Sequence, residues 1–239
     1  MLFPPRTFFV TALFVLVLAL AGCAPPAAPA AAARPTPPPP AAADAATAPA
    51  TPSAPPPAST GDVLRFVIDP AQSEVRFTID EELMGKPKTV VGVNRNISGA
   101  VTVDPGDPTS AQIEPIAIDA ASFVTDGDRR NRAIHRFILQ SSRYPAITFR
   151  PTAIEGMPAS VAVGDSLSLH VTGDLTVRDT TRSETFAVDV QVVSAGELHV
   201  SGAAQVLREN YKLTIPSVPN VANVTNEVQL EFDFVATAQ

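Results

Sequence analysis

The stretch Leu167-Ser168-Leu169-His170-Val171-Thr172-Gly173-Asp174-Leu175-Thr176-Val177 decides the fold. Leu167, Leu169, Val171, Leu175 and Val177 occupy alternate positions, with Ser168, His170, Thr172, Asp174 and Thr176 as their polar partners. An extended chain sends successive side chains to opposite faces, so this pattern predicts a strand with one face buried and one face wet. The pattern recurs on both sides. Phe186, Val188, Val190 and Val192 alternate with Ala187, Asp189 and Gln191; Leu198, Val200, Ala204 and Val206 continue it. Val228, Leu230, Phe232 and Phe234 alternate with Gln229, Glu231 and Asp233, and Val75, Phe77 and Ile79 with Arg76 and Thr78. Many short alternating strands with turn residues between them predict a mainly β chain folded as an antiparallel sandwich or barrel.

One segment departs from period two. Asp126 to Ile138, with Ala133, Ile134, Phe137 and Ile138 at helical spacing, predicts a short helix with one apolar face, capped by Asp126 or Asp128. Tyr144-Pro145 then returns the chain to a strand holding Ile147 and Phe149. The expected architecture is an antiparallel barrel with one short helix.

An apolar inside and a polar outside fit two barrels, one whose side chains fill the lumen and one whose side chains line a cavity. The glycines and alanine at Gly99, Gly173, Gly202 and Ala204 fall in register with inward residues and would leave space. The chain has no Trp, and eight Phe fall in residues 61–239. Glycine within strands also marks bends and bulges, so the pattern leaves both barrels open. A filled β-sandwich serving as an interaction module of the cell envelope is the alternative to a ligand-binding barrel.

The residues for catalysis are sparse. His135, His170 and His199 are the three histidines, none at metal-ligand spacing, and the domain has no cysteine nucleophile. Asp80-Glu81-Glu82 reads as a solvated turn. The net charge of −7 argues against nucleic acid as a partner. No enzyme, metal or cofactor is expected. Arg129, Arg130, Arg132 and Arg136 form the densest basic cluster, either a solvated helix face paired with nearby Asp or a cradle for an anionic head group beside a cavity mouth.

The N-terminus carries a different message. Arg6 precedes an apolar run from Phe8 to Leu20, too short to span a bilayer and of the length of a signal-peptide core. It ends in Leu20-Ala21-Gly22-Cys23, which resembles the lipobox of bacterial lipoproteins. Cys23 is the only cysteine, and an odd cysteine in an exported chain needs an explanation that acylation supplies. Residues 24–60 are nearly all Ala, Pro, Thr and Ser and cannot build a core. They read as a disordered, semi-rigid spacer reaching on the order of 100 Å when extended. The expected organisation is a lipoprotein signal peptide over 1–22, an acylated Cys23 with a linker over 23–60, and a barrel over 61–239. The expected location is the periplasmic or outer cell-surface side of a membrane.

Three stretches resemble the YceI family of polyisoprenoid-binding, lipocalin-like periplasmic proteins. They are Phe66-Val67-Ile68-Asp69-Pro70-Ala71-Gln72-Ser73-Glu74-Val75-Arg76-Phe77, the step Tyr144-Pro145-Ala146-Ile147-Thr148-Phe149, and the hairpin Gly173-Asp174-Leu175-Thr176-Val177-Arg178-Asp179-Thr180-Thr181-Arg182. Tyr211-Lys212-Leu213 and Glu227-Val228-Gln229-Leu230 also fit. The resemblance implies a barrel enclosing a long isoprenoid or quinone-like amphiphile, with a binding or carrier role and no catalytic residues to transfer. Members often carry Gly after the basic position of the hairpin, where Asp179 stands; Asp tolerates the positive φ of a tight turn.

On that reading the lining residues are Phe77, Phe137, Phe149, Leu169, Val171, Phe186, Val188, Leu230 and Phe232, residues that ordinary core packing would also use. The head-group candidates are Arg129, Arg132, His135 and Arg136.

Overall fold

A computed structural model describes residues 63–239; the expected signal peptide, Cys23 and the Pro/Ala-rich segment lie outside the described residues. The strands in chain order are β1 Leu64–Ile68, β2 Glu74–Leu83, β3 Lys86–Asn94, β4 Ile97–Ser98, β5 Ala100–Asp104, β6 Asp107–Ile113 and β7 Ile116–Asp119. After one helix, α1 Asp128–Ala133, come β8 Ala146–Glu155, β9 Ser166–Val177, β10 Thr180–Ser194, β11 Glu197–Leu207, β12 Val221–Ala222 and β13 Glu227–Ala238. They form one antiparallel sheet in the order β4-β7-β8-β9-β10-β11-β13-β1-β5-β6, with β2 also on β13, and β3 and β12 on β2. The mainly β antiparallel class expected from the alternation is the class found.

The sheet curls because its two ends are one segment of chain. β4 pairs with β7 at one end of the order and β5 pairs with β1 and β6 at the other, and only Gly99 separates β4 from β5. The Ile68 amide donates to the Gly99 carbonyl at 3.1 Å, and the Glu114 amide to that of Ala100 at 2.8 Å. A Cβ on Gly99 would stand 3.1 Å from Ile116 and 3.2 Å from Ile68, so this seam is drawn tight where glycine permits close approach. β13 serves as a spine: Ala236–Ala238 pairs with β1, Gln229–Asp233 with β2, and the whole strand with β11.

Along β9 the inward set Leu169, Val171, Leu175 and Val177 is buried, while Ser168 and His170 are exposed. Partner residues share a face across a ladder, so Phe186 and Val188 on β10 stand beside Val171 and Leu169. The β9–β10 turn holds two residues, and its positive φ sits at Arg178 (58°), where the sequence reading had placed it at Asp179. The Arg178 guanidinium fastens the turn downward: it lies 5.7 Å from the Tyr144 ring centroid and donates to the Ile138 carbonyl at 3.3 Å. An unfavourable backbone angle is thereby held in place by a long side chain with two attachments, neither of which glycine could make.

The helix differs from its expectation in register. α1 ends at Ala133, and Ile134–Ile138 forms a π-helical turn, with the Leu139 amide donating to Ile134 O at 2.8 Å. A wider turn places Ile134 over Ile138 and Leu139, which pack into the core, and swings Phe137 outward. Phe137 is 55% exposed, with Arg136 5.6 Å from its ring centroid. Neither expected cap operates. Gly127 is the N-cap without a side-chain bond, and Asp126 pairs instead with Lys88 at 2.7 Å and Arg130 at 3.5 Å.

An apolar cavity as the candidate binding site

The curled sheet leaves its apolar face around a cavity of about 480 Å3, within the roughly 300–1,000 Å3 of small-molecule sites. The lumen is therefore not filled. Leu167, Leu169, Val171, Leu175 and Val177 all line it, so it follows β9 over eleven residues, about 33 Å at the rise of a strand. Phe149, Phe186, Phe232 and Phe234 make one aromatic wall. Phe149 meets Phe186 edge-on with centroids 5.1 Å apart, and Phe232 stacks on Phe234 at 4.6 Å. Such pairs add about 0.5–1.5 kcal/mol each beyond area burial.

One end is sealed. Phe123, Ile134, Leu139, Val206 and Tyr211 are buried there. The helix above them is tied to β2 by Arg130–Glu81 at 2.9 Å and to the β9–β10 turn by Arg178. Tyr211, 1% exposed, donates its hydroxyl to Glu184 Oε1 at 2.7 Å; burial, then this bond to a carboxylate, pushes its pKa well above the ordinary tyrosine value. The other end is a mouth, framed by the β5–β6 turn (Pro105) with Pro108 at the start of β6, the loop between β8 and β9 (Met157, Val161, Val163) and the β10–β11 turn (Ala195) with Ser194 at the end of β10. Val163 is 60% exposed, which marks where the lining reaches solvent.

Phe77, Phe149, Leu169, Val171, Phe186, Val188, Leu230 and Phe232 all line this cavity. Phe137 does not, for the reason given by the π turn. The arginine cluster is not beside the mouth. It rides on the sealed end, where Arg129, Arg132 and Arg136 are exposed and His135 Nε2 is bonded to Phe123 O at 2.7 Å. None of Arg129, Arg132, His135 and Arg136 lines the cavity. Asp80-Glu81-Glu82 is also not a turn. It lies in β2, with Asp80 bonded to Thr89, Glu81 to Arg130 and Glu82 to Asn223.

Sequence reading overlooked the wall from Phe66, Ile68, Ile113, Ile116 and Ile154. Phe66 and Ile68 alternate around Val67, so their signal was present. It also misjudged the glycines. The space at Gly202 is occupied by the Phe232 ring, that at Gly173 by Phe149, and that at Gly99 by Ile116 and Ile68. Among the described residues no cluster of His, Cys, Asp and Glu has the makings of a metal site.

A curled antiparallel sheet with an apolar lumen, one sealed end and one open mouth defines a lipocalin-like barrel. The YceI-like domain model matches residues 66–236, and the chain belongs to the YceI family. Among solved structures, a polyisoprenoid-binding domain from Saccharophagus degradans implicated in plant cell wall breakdown is similar at 18% identity and a TM-score of 0.59, over 74% of this chain and 99% of that one. BcnA of Burkholderia cenocepacia is similar at 25% identity and a TM-score of 0.54, over 71% of this chain and 99% of that one. A search among curated proteins found no match.

Proposed function

We propose that this protein is a membrane-tethered, extracytoplasmic lipid-binding protein that sequesters or carries a polyisoprenoid or quinone-like amphiphile in its lumen. The observation that carries the reading is the continuous apolar cavity along β9, whose lining residues are almost all hydrocarbon. A prenyl chain drawn into such a lumen gains roughly 0.8 kcal/mol for each methylene removed from water, so tight binding needs few polar contacts. The polyisoprenoid-binding description of the Saccharophagus degradans domain supports the same ligand class. That domain's chain is covered almost completely by the barrel alone, and the described strand pairings lie within residues 64–238, which supports residues 61–239 as a unit that folds by itself. The tether rests on Leu20-Ala21-Gly22-Cys23, with Cys23 as the acylated residue.

The test is native mass spectrometry followed by organic extraction of residues 61–239, purified without detergent from a bacterial host. A stoichiometric prenyl or quinone mass is expected. A protein that is empty and stays empty after incubation with prenyl lipids would overturn the reading. For the tether, labelling of the full chain with radioactive palmitate is expected, and its persistence in Cys23→Ser would remove the anchor.

A further inference from the structure

Every element that frames the mouth lies in a stretch free of Lys and Arg: residues 96–128, 151–177 and 183–207 contain none. The same elements carry Asp104 and Asp107 on the β5–β6 turn, Glu155 and Asp165 on either side of the β8–β9 loop, and Glu197 on the β10–β11 turn. Among the described residues, three groups at this end can bear positive charge, and each stands beside a carboxylate; His170 is the cross-strand partner of Glu155. Arg65 forms a two-bond pair with Glu114 at 2.9 and 3.0 Å, and His199 lies 2.9 Å from Glu197. Deeper in, Arg76 is the one cation among the lining residues; Glu74, Asp233 and Glu231 all surround its guanidinium. The exposed Arg129, Arg132 and Arg136 sit at the sealed end.

An amphiphile entering an apolar lumen leaves its polar end at the mouth, because the opposite end is closed by buried apolar side chains and burying a charge there is prohibitive. We infer that the mouth selects by charge: it accepts isoprenoid amphiphiles whose polar end is uncharged or cationic and rejects those ending in phosphate or diphosphate. Asp104, Asp107, Asp165 and Glu197 set this specificity. The inference rests on the lipid-binding reading above and narrows its ligand class. Each carboxylate acts on a head group through water, so the individual effects are small and screened by salt, but they share one sign and a diphosphate meets all of them.

The experiment measures binding of geranylgeraniol, geranylgeranylamine and geranylgeranyl diphosphate to residues 61–239 by titration calorimetry. The three share one hydrocarbon chain and differ in head charge. At low ionic strength the alcohol and the amine are expected to bind at least roughly tenfold tighter than the diphosphate, and salt should narrow the gap. In the variant D104N/D107N/D165N/E197Q, whose amides keep the local acceptor oxygens, the gap should close while affinity for the alcohol is unchanged. Circular dichroism confirms that this variant is folded. Diphosphate binding as tight as the alcohol, or a gap that survives both salt and neutralisation, overturns the charge selection alone. Binding of none of the three overturns the lipid-binding reading, and the selection with it.

Discussion

The ring of Phe232 on β13 lies across Gly202 on β11, its cross-strand partner, with Cε1 2.6 Å from where a Cβ on Gly202 would stand. Glycine here makes a socket for an aromatic ring, and the ring in turn forms cavity wall. Gly173 is tighter still, since a Cβ there would meet Arg150 O at 2.6 Å and Pro151 Cα at 2.8 Å as well as the Phe149 ring. A ring can rotate away, but backbone of a paired strand cannot. Gly173→Ala is therefore expected to destabilise the domain by about 1–3 kcal/mol, lowering Tm by on the order of 3–10 °C. Gly202→Ala, whose Cβ would meet one backbone atom, Ala187 O at 2.9 Å, should cost less stability and also alter ligand affinity. Thermal melts and lipid titrations on both variants check the order.

Phe137 and Phe186 separate surface from lumen. Phe137 is exposed and off the cavity, so Phe137→Ala should change stability by less than about 0.5 kcal/mol and leave lipid uptake intact. Phe186, 7% exposed and packed between Phe149 and Phe232, should cost about 3–5 kcal/mol when cut to alanine. Urea titration of the two variants would reveal the contrast, and equal costs would contradict the outward turn of Phe137.

Val171 faces the lumen near the middle of β9. A tryptophan there has cavity to enter, where in a filled core it would force neighbours apart. Val171→Trp is expected to retain the circular dichroism spectrum and cooperative melt of the parent while losing prenyl lipid uptake by native mass spectrometry. Undiminished uptake would remove the cavity as the binding site.

Tyr211 links stability to alkaline pH. Its hydroxyl is held protonated by burial and by Glu184, so its folded pKa lies above the unfolded value of about 10. The stabilisation is fully present below that value and is lost as pH rises beyond it, because the unfolded chain then sheds a proton that the folded chain keeps. Tyr211→Phe should lower stability near neutrality by about 1.5–3 kcal/mol, the range for hydrogen bonds to charged groups. It should also flatten the decline above pH 10. Denaturant midpoints across pH, for parent and variant, test both parts.

The strands were legible because alternation is a local signal: Leu169, Val171, Phe186 and Val188 could be assigned inward from their own neighbours. The helix was legible as an element but not in register, since a π turn changes the residues per turn without a mark in the sequence, and Phe137 was misdirected for that reason. The glycines misled because their space is claimed by rings on the neighbouring strand, directly opposite at Gly202 and two residues along at Gly173, which no single strand discloses. The mouth was illegible in shape: Pro105, Val161 and Val163 sit in turns and loops without periodicity. The charge cluster was visible, but placing it at the sealed end required knowing that the helix lies against Glu81 and Arg178.

The closure at Gly99 has a mechanical meaning for the wall. Ladder lengths differ around the wall: twelve paired positions join β9 to β10 and eleven join β11 to β13, while four join β7 to β8, four join β1 to β5 and three join β1 to β13. β4 holds β7 by two positions, Ile97 with Ile118 and Ser98 with Ala117. This clasp is thus the shortest link in the hoop, and local opening follows the fewest bonds to be broken. Amides around Ile97–Gly99 should exchange with deuterium ahead of those in β9–β11. A parted clasp would turn the tube into a trough, giving a long chain a sideways exit in place of threading through the mouth.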